Sequence, residues 1–562
     1  MPTVVVSPGD LPLPCFYRWE RERAEQIYLT QPTGAGAVQD IRWREAGDQV
    51  RRMASWLQAQ GWPAGSRVAI IGKNSAHWIL ADLAIWMAGH VSVPVYPTFN
   101  GEALAYIMAH SEARACFVGK MDEIGNLQTG LASDLPLISL PLAPPIEALQ
   151  WTDLIAGSEP LAGSPTPDGD TVCTIIYTSG TTGKPKGVVQ TFNAIAWGIS
   201  SATRRFPMSS ADRYISYLPL AHVAERMLIE QASLRYGGHI FFAETLDTFL
   251  QDLQRARPTI FFSVPRLWVK FQQGVHAQMP AKKLAKLLAL PLIGGLVRRR
   301  ILKALGLDRC RIAAGGAAPM PVDVLNWYRR LGLDLVEVYG MTENCAISHA
   351  TLPGAPRTGT VGLPYDGVEQ RIDAETGEIL MCSPALMKAY YREPAQTAAA
   401  FAPDGWLRTG DKGSIDAEGY LSITGRVKEI FKTSKGKYVA PAPLEDRLVM
   451  HPDVEACAVT GANLAQPLAL LMLSQDAVAR CVSGEARQAL TESLESHLDA
   501  INAGLEPHEK LGCVVLVTTP WTPENGFVTP TLKVRRNRIE EAYAQHYEAW
   551  CREGRRVIWS AG

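Results

Sequence analysis

Long apolar runs are missing from this chain of 562 residues. None approaches the ~20 residues that a membrane-spanning helix requires. Surplus charge is missing too: 55 Lys and Arg stand against 56 Asp and Glu, a formal charge of −1. Nothing global therefore points to nucleic acid as a partner. The ten cysteines are scattered and form no Cys-x-x-Cys pair. That spacing disfavours metal-ligand and redox sites and predicts reduced thiols in a cytoplasmic protein. The first ten residues lack the basic-then-apolar plan of a secretory signal. Internal repeats and low-complexity tracts are absent as well. What remains is 47% hydrophobic and 20% charged, the balance of a globular protein. The length exceeds one ordinary core, so two or more domains are expected.

The densest local signal runs from Tyr177 to Gly187, Tyr-Thr-Ser-Gly-Thr-Thr-Gly-Lys-Pro-Lys-Gly. Gly180, Gly183 and Gly187 permit tight turns that bring backbone amides close to a ligand. Thr178, Ser179, Thr181 and Thr182 add hydroxyl donors, and Lys184 and Lys186 add positive charge. Polyphosphate oxygens suit that combination of donors and cations. The run before it, Val172 to Tyr177, is short, apolar and β-prone, so the loop leaves a buried strand. It is not a Walker loop, because Thr178 stands five positions before Gly183 and Pro185 follows the lysine. The bland alternative is a surface turn without a ligand, yet turns seldom combine these three residue classes so densely.

Residues 41–120 alternate helix and strand patterns, which predicts a largely parallel, layered α/β sheet. Arg44–Gln60 and Ser75–Gly89 read as helices, and Arg67–Ile71 and Val91–Tyr96 as strands. The stretch 134–170 is rich in Pro, Gly and Ser and reads as a surface connection. Smaller strands joined by Gly-rich turns fill 359–424, and a compositional break falls at Gly425-Arg426-Val427-Lys428-Glu429. The expected domains are 1–425 and 426–562, with a hinge near 425–431 and an α+β pattern beyond it. One segment stands apart. Ala281 to Arg311 holds nine Lys or Arg and one acidic residue, Asp308, around an eleven-residue apolar run, Leu287 to Val297. Two readings stay open: peripheral contact with an anionic membrane surface, or a buried helix with solvated basic ends.

Other clusters carry chemistry. Tyr339-Gly340-Met341-Thr342-Glu343 follows a strand-like run and gathers an aromatic face, a hydroxyl and a carboxylate. Those parts can stack a base, contact a phosphate and hold a hard cation. Gly315-Gly316-Ala317 lets a flat ring approach the backbone, or is simply a tight turn. Asp411, in Thr409-Gly410-Asp411, is a natural acceptor for two ribose hydroxyls, although an Asp after Gly is commonly a turn residue. His222, in Leu-Pro-Leu-Ala-His-Val-Ala-Glu-Arg, reads as lining a site rather than carrying a proton. Lys533, in Thr-Pro-Thr-Leu-Lys-Val-Arg-Arg, supplies an ammonium that would screen two reacting anions; a solvated basic turn is the competing reading.

In series, these strings resemble the adenylate-forming superfamily of acyl-CoA synthetases, luciferases and peptide-synthetase adenylation domains, from about residue 40 to the 530s. Within it the chain looks most like the long-chain fatty-acid–CoA ligases. The resemblance implies a large N-terminal domain of layered sheets with a smaller β subdomain, and a small mobile C-terminal domain. It also implies ATP, Mg2+ and CoA, with Thr178–Lys186 on the phosphates and Gly315, Gly316, Ala317 and Tyr339 along adenine. Thr342 would contact the α-phosphate, Glu343 magnesium, Asp411 and Arg426 the ribose, and Lys533 the reacting carboxylate and phosphate. Lys428 would be the hinge and Gly436 would face CoA. Two departures stand out: Lys428 where many relatives have Asp, and no aromatic gate after His222-Val223. A fatty-acyl-AMP ligase loading a carrier protein and a catalytically silent nucleotide-binding homologue are the alternatives. The compact Asp411–Arg426 stretch favours CoA, and intact Glu343, Asp411 and Lys533 favour catalysis.

Overall fold

The computed structural model describes residues 4–178, 184–291, 293–318, 320–355, 357, 359–529 and 533–560. The chain forms two compact units. The first contains the chain up to Thr178, Pro185–Gln370 and Met381–Leu407; the second contains Arg371–Leu380 and the chain from Arg408 onward.

In the first unit, an eight-stranded sheet runs Ala389–Tyr390, Lys186–Thr191, Val172–Thr178, Val91–Val95, Arg67–Ile71, Cys116–Val118, Leu137–Ser139, Leu149–Gln150. From Val172–Thr178 to the far edge the neighbours are parallel, as the alternating helix and strand patterns predict. The two remaining strands are antiparallel. Val172–Thr178 and Lys186–Thr191, consecutive in the chain, thus pair antiparallel with Thr178 opposite Lys186.

The flanking helices follow from their side chains. Trp43–Ala59 buries Trp43, Ala46, Val50, Met53 and Leu57, the spacing of a single helical face. Ala76–Met87 starts where Ser75 Oγ accepts the Trp78 amide, and all twelve of its residues are buried. A second sheet places Ile260–Ser263, Ile312–Gly316 and Leu335–Tyr339 in parallel, with His349–Ala350 and Leu363–Pro364 antiparallel at one edge.

Two expectations need correction. The 134–170 connection is not all loop: it contributes the edge strands Leu137–Ser139 and Leu149–Gln150 and the helix Trp151–Ala156, anchored by buried Trp151. The apolar run from Leu287 does not form one buried helix. It is divided between Ala281–Ala289 and Ile293–Ala304 around Pro291, and in the second helix Gly294 alone is buried. Proline disfavours helical backbone in the residue before it, so a continuous helix was not available.

The second unit has its own core. Val454–Thr460, Leu468–Leu473, Cys513–Val517 and Val557–Trp559 form a four-stranded sheet. The helix Gly484–Asn502 packs Leu490, Leu494, Leu498 and Ile501 into that core.

Candidate active site

The strand Val172–Thr178 is buried from Cys173 to Tyr177, and Thr178 pairs with Lys186 across the hairpin. Ser179, Gly180, Thr181, Thr182 and Gly183 lie outside the described residues. Lys184 is exposed and Lys186 half-buried. The Lys186 ammonium lies 5.1 Å from the centre of the Tyr390 ring, within cation–π range. Tyr390 is brought there because Ala389–Tyr390 adds to the outside of Lys186–Thr191, with Tyr390 opposite Val188.

Tyr390 then turns to the second motif. Its hydroxyl donates to Glu343 Oε1 at 2.8 Å. Burial, with the Glu343 charge added, raises the phenol well above its ordinary range, so it remains a proton donor. The turn that carries Glu343 is fixed by its backbone. Gln190 Nε2 donates to Thr342 O at 2.8 Å, and the Met387 amide donates to Glu343 O at 2.7 Å. Asn344 Oδ1 accepts the Met341 amide, and Thr342 itself is buried. Gly340 is required here: a Cβ would stand 2.3 Å from the carbonyl carbon of Ala346. The phosphate-loop hairpin and Glu343 are thus brought together through Tyr390, a residue that no motif had singled out.

Gly315 and Gly316 end the strand Ile312–Gly316, beside Glu337 and Val338 respectively. Ala317 follows with φ of 71° and is exposed. A Cβ on Gly316 would meet Val338 O at 2.9 Å, so the two strand ends approach as only glycine allows. Glu337 Oε1 accepts the Met320 amide at 3.0 Å and shapes the turn beyond. Tyr339 closes its strand half-buried, with its ring tilted against His349. These three groups therefore open at the same end of one sheet.

His222 caps a short helix: its Nδ1 accepts the Ala224 amide at 3.1 Å. That bond favours the neutral ring with its proton on Nε2. The residues after it are buried deeply. Arg226 pairs with Asp82 and with Glu230 at 3.2 Å, and its Nη1 donates to Thr174 Oγ1 at 2.7 Å. Trp78 and Trp86 enclose the guanidinium at 5.7 and 5.4 Å. Burial pushes the Glu230 carboxyl up, and the adjacent Asp82 adds to that. Glu225 accepts from Ser216, the Tyr217 amide and Asn74, and burial pushes its carboxyl up to about 8. Since Thr174 belongs to the strand that leads into Thr178, Arg226 fastens the His222 turn to the phosphate-loop strand. Motif spacing had not indicated this, because Asp82 is distant in the chain.

In the second unit, Asp411 and Arg426 face each other on paired strands, and Arg426 Nε lies 3.2 Å from Asp411 Oδ1. Asp411 is buried, and its amide donates to Thr409 Oγ1 at 3.1 Å. The Gly410 amide donates to Glu378 Oε1 at 2.8 Å, which holds the turn. Lys428 is exposed in the turn beyond Arg426, and Gly436 is exposed in the Thr433–Lys437 hairpin. Lys533 is exposed at the base of another hairpin: its amide donates to Thr529 Oγ1, and Val528 pairs with Val534. Arg536 joins that segment to the turn after Arg426 and to the helix Pro441–Leu448, with Nη2 2.7 Å from Glu445 and 3.8 Å from Glu429.

A metal fits this chemistry only in one form. Among the described residues no group of three His, Cys, Asp or Glu side chains could hold an ion alone. Glu343 offers one carboxylate, with Tyr390 occupying one oxygen. Magnesium characteristically takes one or two carboxylates together with substrate phosphates and water, so the donor set suits it.

Comparison with known proteins shows the family. The AMP-binding enzyme family profile matches residues 16–391, and that of the AMP-binding enzyme C-terminal domain matches 428–553. The long-chain-fatty-acid–CoA ligase FadD15 of Mycobacterium tuberculosis is 30% identical, over 94% of this chain and 96% of that protein. The peroxisomal long chain acyl-CoA synthetase 6 of Arabidopsis thaliana is 31% identical, over 91% of this chain and 82% of that protein. Among solved structures, the adenylation domain of a carboxylic acid reductase from Segniliparus rugosus superposes with a TM-score of 0.79 at 21% identity, covering 98% of this chain and 95% of that one. The anthranilate CoA ligase AuaEII gives a TM-score of 0.76 at 22% identity, over 97% and 100%. This chain belongs to the adenylate-forming AMP-binding enzymes, in their acyl-CoA synthetase family.

Proposed function

We propose that the protein activates a long-chain fatty acid at the expense of ATP and delivers it to CoA. The observation that carries this reading is the Lys186–Tyr390–Glu343 linkage beside Thr178. A fatty carboxylate is a poor acyl donor because oxide would have to leave. Its oxygen attacks the α-phosphorus of ATP, the bond to the bridging oxygen breaks, and pyrophosphate departs, leaving acyl-AMP. The CoA thiol, losing its proton, then attacks the acyl carbon, and AMP departs.

Each residue takes one task. Thr178, Ser179, Gly180, Thr181, Thr182, Gly183, Lys184 and Lys186 bind the β- and γ-phosphates, with charge and directed donors. Tyr339 and the Gly315–Gly316–Ala317 turn receive adenine, and Gly340 keeps the Thr342–Glu343 turn tight. Thr342 donates to the α-phosphate. Glu343 would hold magnesium, which supplies charge neutralisation on the phosphates. Asp411, assisted by Arg426, accepts the ribose hydroxyls. Lys533 stabilises the charge that builds as carboxylate and phosphate approach, and His222 lines the carboxylate side. Lys428 is the pivot between the two half-reactions, and Gly436 leaves room for the pantetheine arm.

The protein works in the cytoplasm and meets the inner face of a membrane peripherally, where its apolar substrate collects. Pyrophosphate release tests the chemistry, measured with acids from acetate to oleate, with and without CoA. The reading predicts the fastest release with long acids and acyl-CoA as product. Acyl-AMP that accumulates with CoA present would favour a carrier protein as acceptor.

A further inference from the structure

Resting on that reading of a peripheral membrane contact, we propose that the helix Ile293–Ala304 is the docking element and that its partner is an anionic phospholipid surface. The helix has twelve residues, and its one buried residue is Gly294, set against the Leu288 carbonyl. It gives almost nothing to the core. Instead it displays Ile293, Leu296, Val297 and Ile301, spaced so that they share one side. Leu296 is 70% exposed and Ile293 48%, and Leu290 in the preceding turn is 45% exposed. Val297 and Ile301 are half-buried, so Ile293 and Leu296 with Leu290 form the exposed part of the stripe. Exposed apolar residues on one side are the pattern of an interfacial helix. No helix among the described residues is long and apolar enough to cross a membrane, so the contact would be superficial.

Charge selects the kind of surface. Of the nine basic residues in 281–311, Arg311 alone has an ion-pair partner among the described residues, Asp212. Asp308, the only acid of the segment, is taken by Arg257. Lys282, Lys283, Lys286, Arg298, Arg299, Arg300, Lys303 and Arg309 form no ion pair among the described residues, and all are exposed. Arg300 falls within the apolar stripe and Lys303 at its edge, where long side chains can reach phosphates while the stem stays in the interface. On the other side of the helix, Arg298 and Arg299 line an open cleft of about 540 Å³ with Arg257, Arg309 and Asp308. Its net positive lining can receive a phosphodiester. Each basic residue near an anionic surface contributes roughly five-fold in partition. Several together favour acidic over neutral lipid strongly.

The full chain is floated with phosphatidylcholine vesicles, with and without phosphatidylglycerol, at low and high salt. Expected is flotation that depends on phosphatidylglycerol, weakens with salt, and falls about ten-fold or more in Ile293→Asp/Leu296→Asp. Arg299→Glu/Arg300→Glu should lose the preference for phosphatidylglycerol. Pyrophosphate release with octanoate, a soluble acid, should be unchanged in both variants, which shows that they fold. If the native chain floats and both variants float equally well, this helix is not the docking element, although a peripheral contact stands. If the native chain floats with neither vesicle, the contact itself is refuted while the ligase chemistry is untouched. A concentration-dependent dimer that Leu296→Asp abolishes would show that the stripe meets protein, and would overturn the proposal.

Discussion

Tyr390 and Glu343 are joined by a hydrogen bond of 2.8 Å from phenol to carboxylate, and the Lys186 ammonium lies over the same tyrosine ring. On the proposed reading Glu343 receives a cation, and Tyr390 would orient its carboxylate by holding one oxygen. Tyr390→Phe keeps the ring and its contact with Lys186 but deletes the donor. A hydrogen bond to a charged group contributes about 1.5–3 kcal/mol, so ATP–pyrophosphate exchange should fall roughly ten- to a hundred-fold. Half-saturation by magnesium should rise with it. Unchanged magnesium dependence would separate Tyr390 from the role of Glu343.

Gly340→Ala tests the turn beneath Glu343. The new methyl would enter the Ala346 backbone, which cannot swing aside as a side chain can. Overpacking costs typically 1–3 kcal/mol. We expect a lower melting temperature together with weakened ATP binding in equilibrium titration, because the turn itself carries Thr342 and Glu343.

The Glu225 carboxyl predicts a pH dependence of stability. Its ordinary value of 4.5 is pushed up to about 8 by burial. Below 4.5 both folded and unfolded chains hold the proton. Between 4.5 and about 8 the unfolded chain ionises while the folded one does not, so stability falls as pH rises and levels off above about 8. Glu225→Gln mimics the protonated form. Relative to the native chain it should gain on the order of a few kcal/mol between pH 5 and pH 8, measured by urea denaturation. A difference that does not vary with pH would contradict the assignment.

Lys533→Ala should reduce acyl-AMP formation by about a hundred-fold or more while sparing thiolysis of supplied acyl-AMP. Equal loss in the two assays would mean that the lysine serves both steps, or only the fold.

Local signals were legible where one segment decides its own structure. Arg67–Ile71 is a strand at the residues its pattern indicates. The helix after Ser75 starts at the capping serine. Asp411 and Arg426, which sequence reasoning had grouped, are cross-strand neighbours. Contacts between remote segments were not legible. Tyr390 lies on a two-residue edge strand, too short for any period, and its partner is 47 positions away. Nothing in the sequence near Arg226 points to its partner Asp82, 144 positions earlier. Leu137–Ser139 and Leu149–Gln150 hide among turn residues, because an edge strand needs only two or three residues of its own.

The account turns on an acyl oxygen becoming an oxygen of AMP. A fatty acid labelled with oxygen-18 in its carboxylate, incubated with ATP, magnesium and CoA, tests this directly by mass spectrometry of the nucleotide. The account predicts one labelled oxygen in each AMP formed and none in pyrophosphate. Label recovered in inorganic phosphate alongside ADP, with none in AMP, would contradict it.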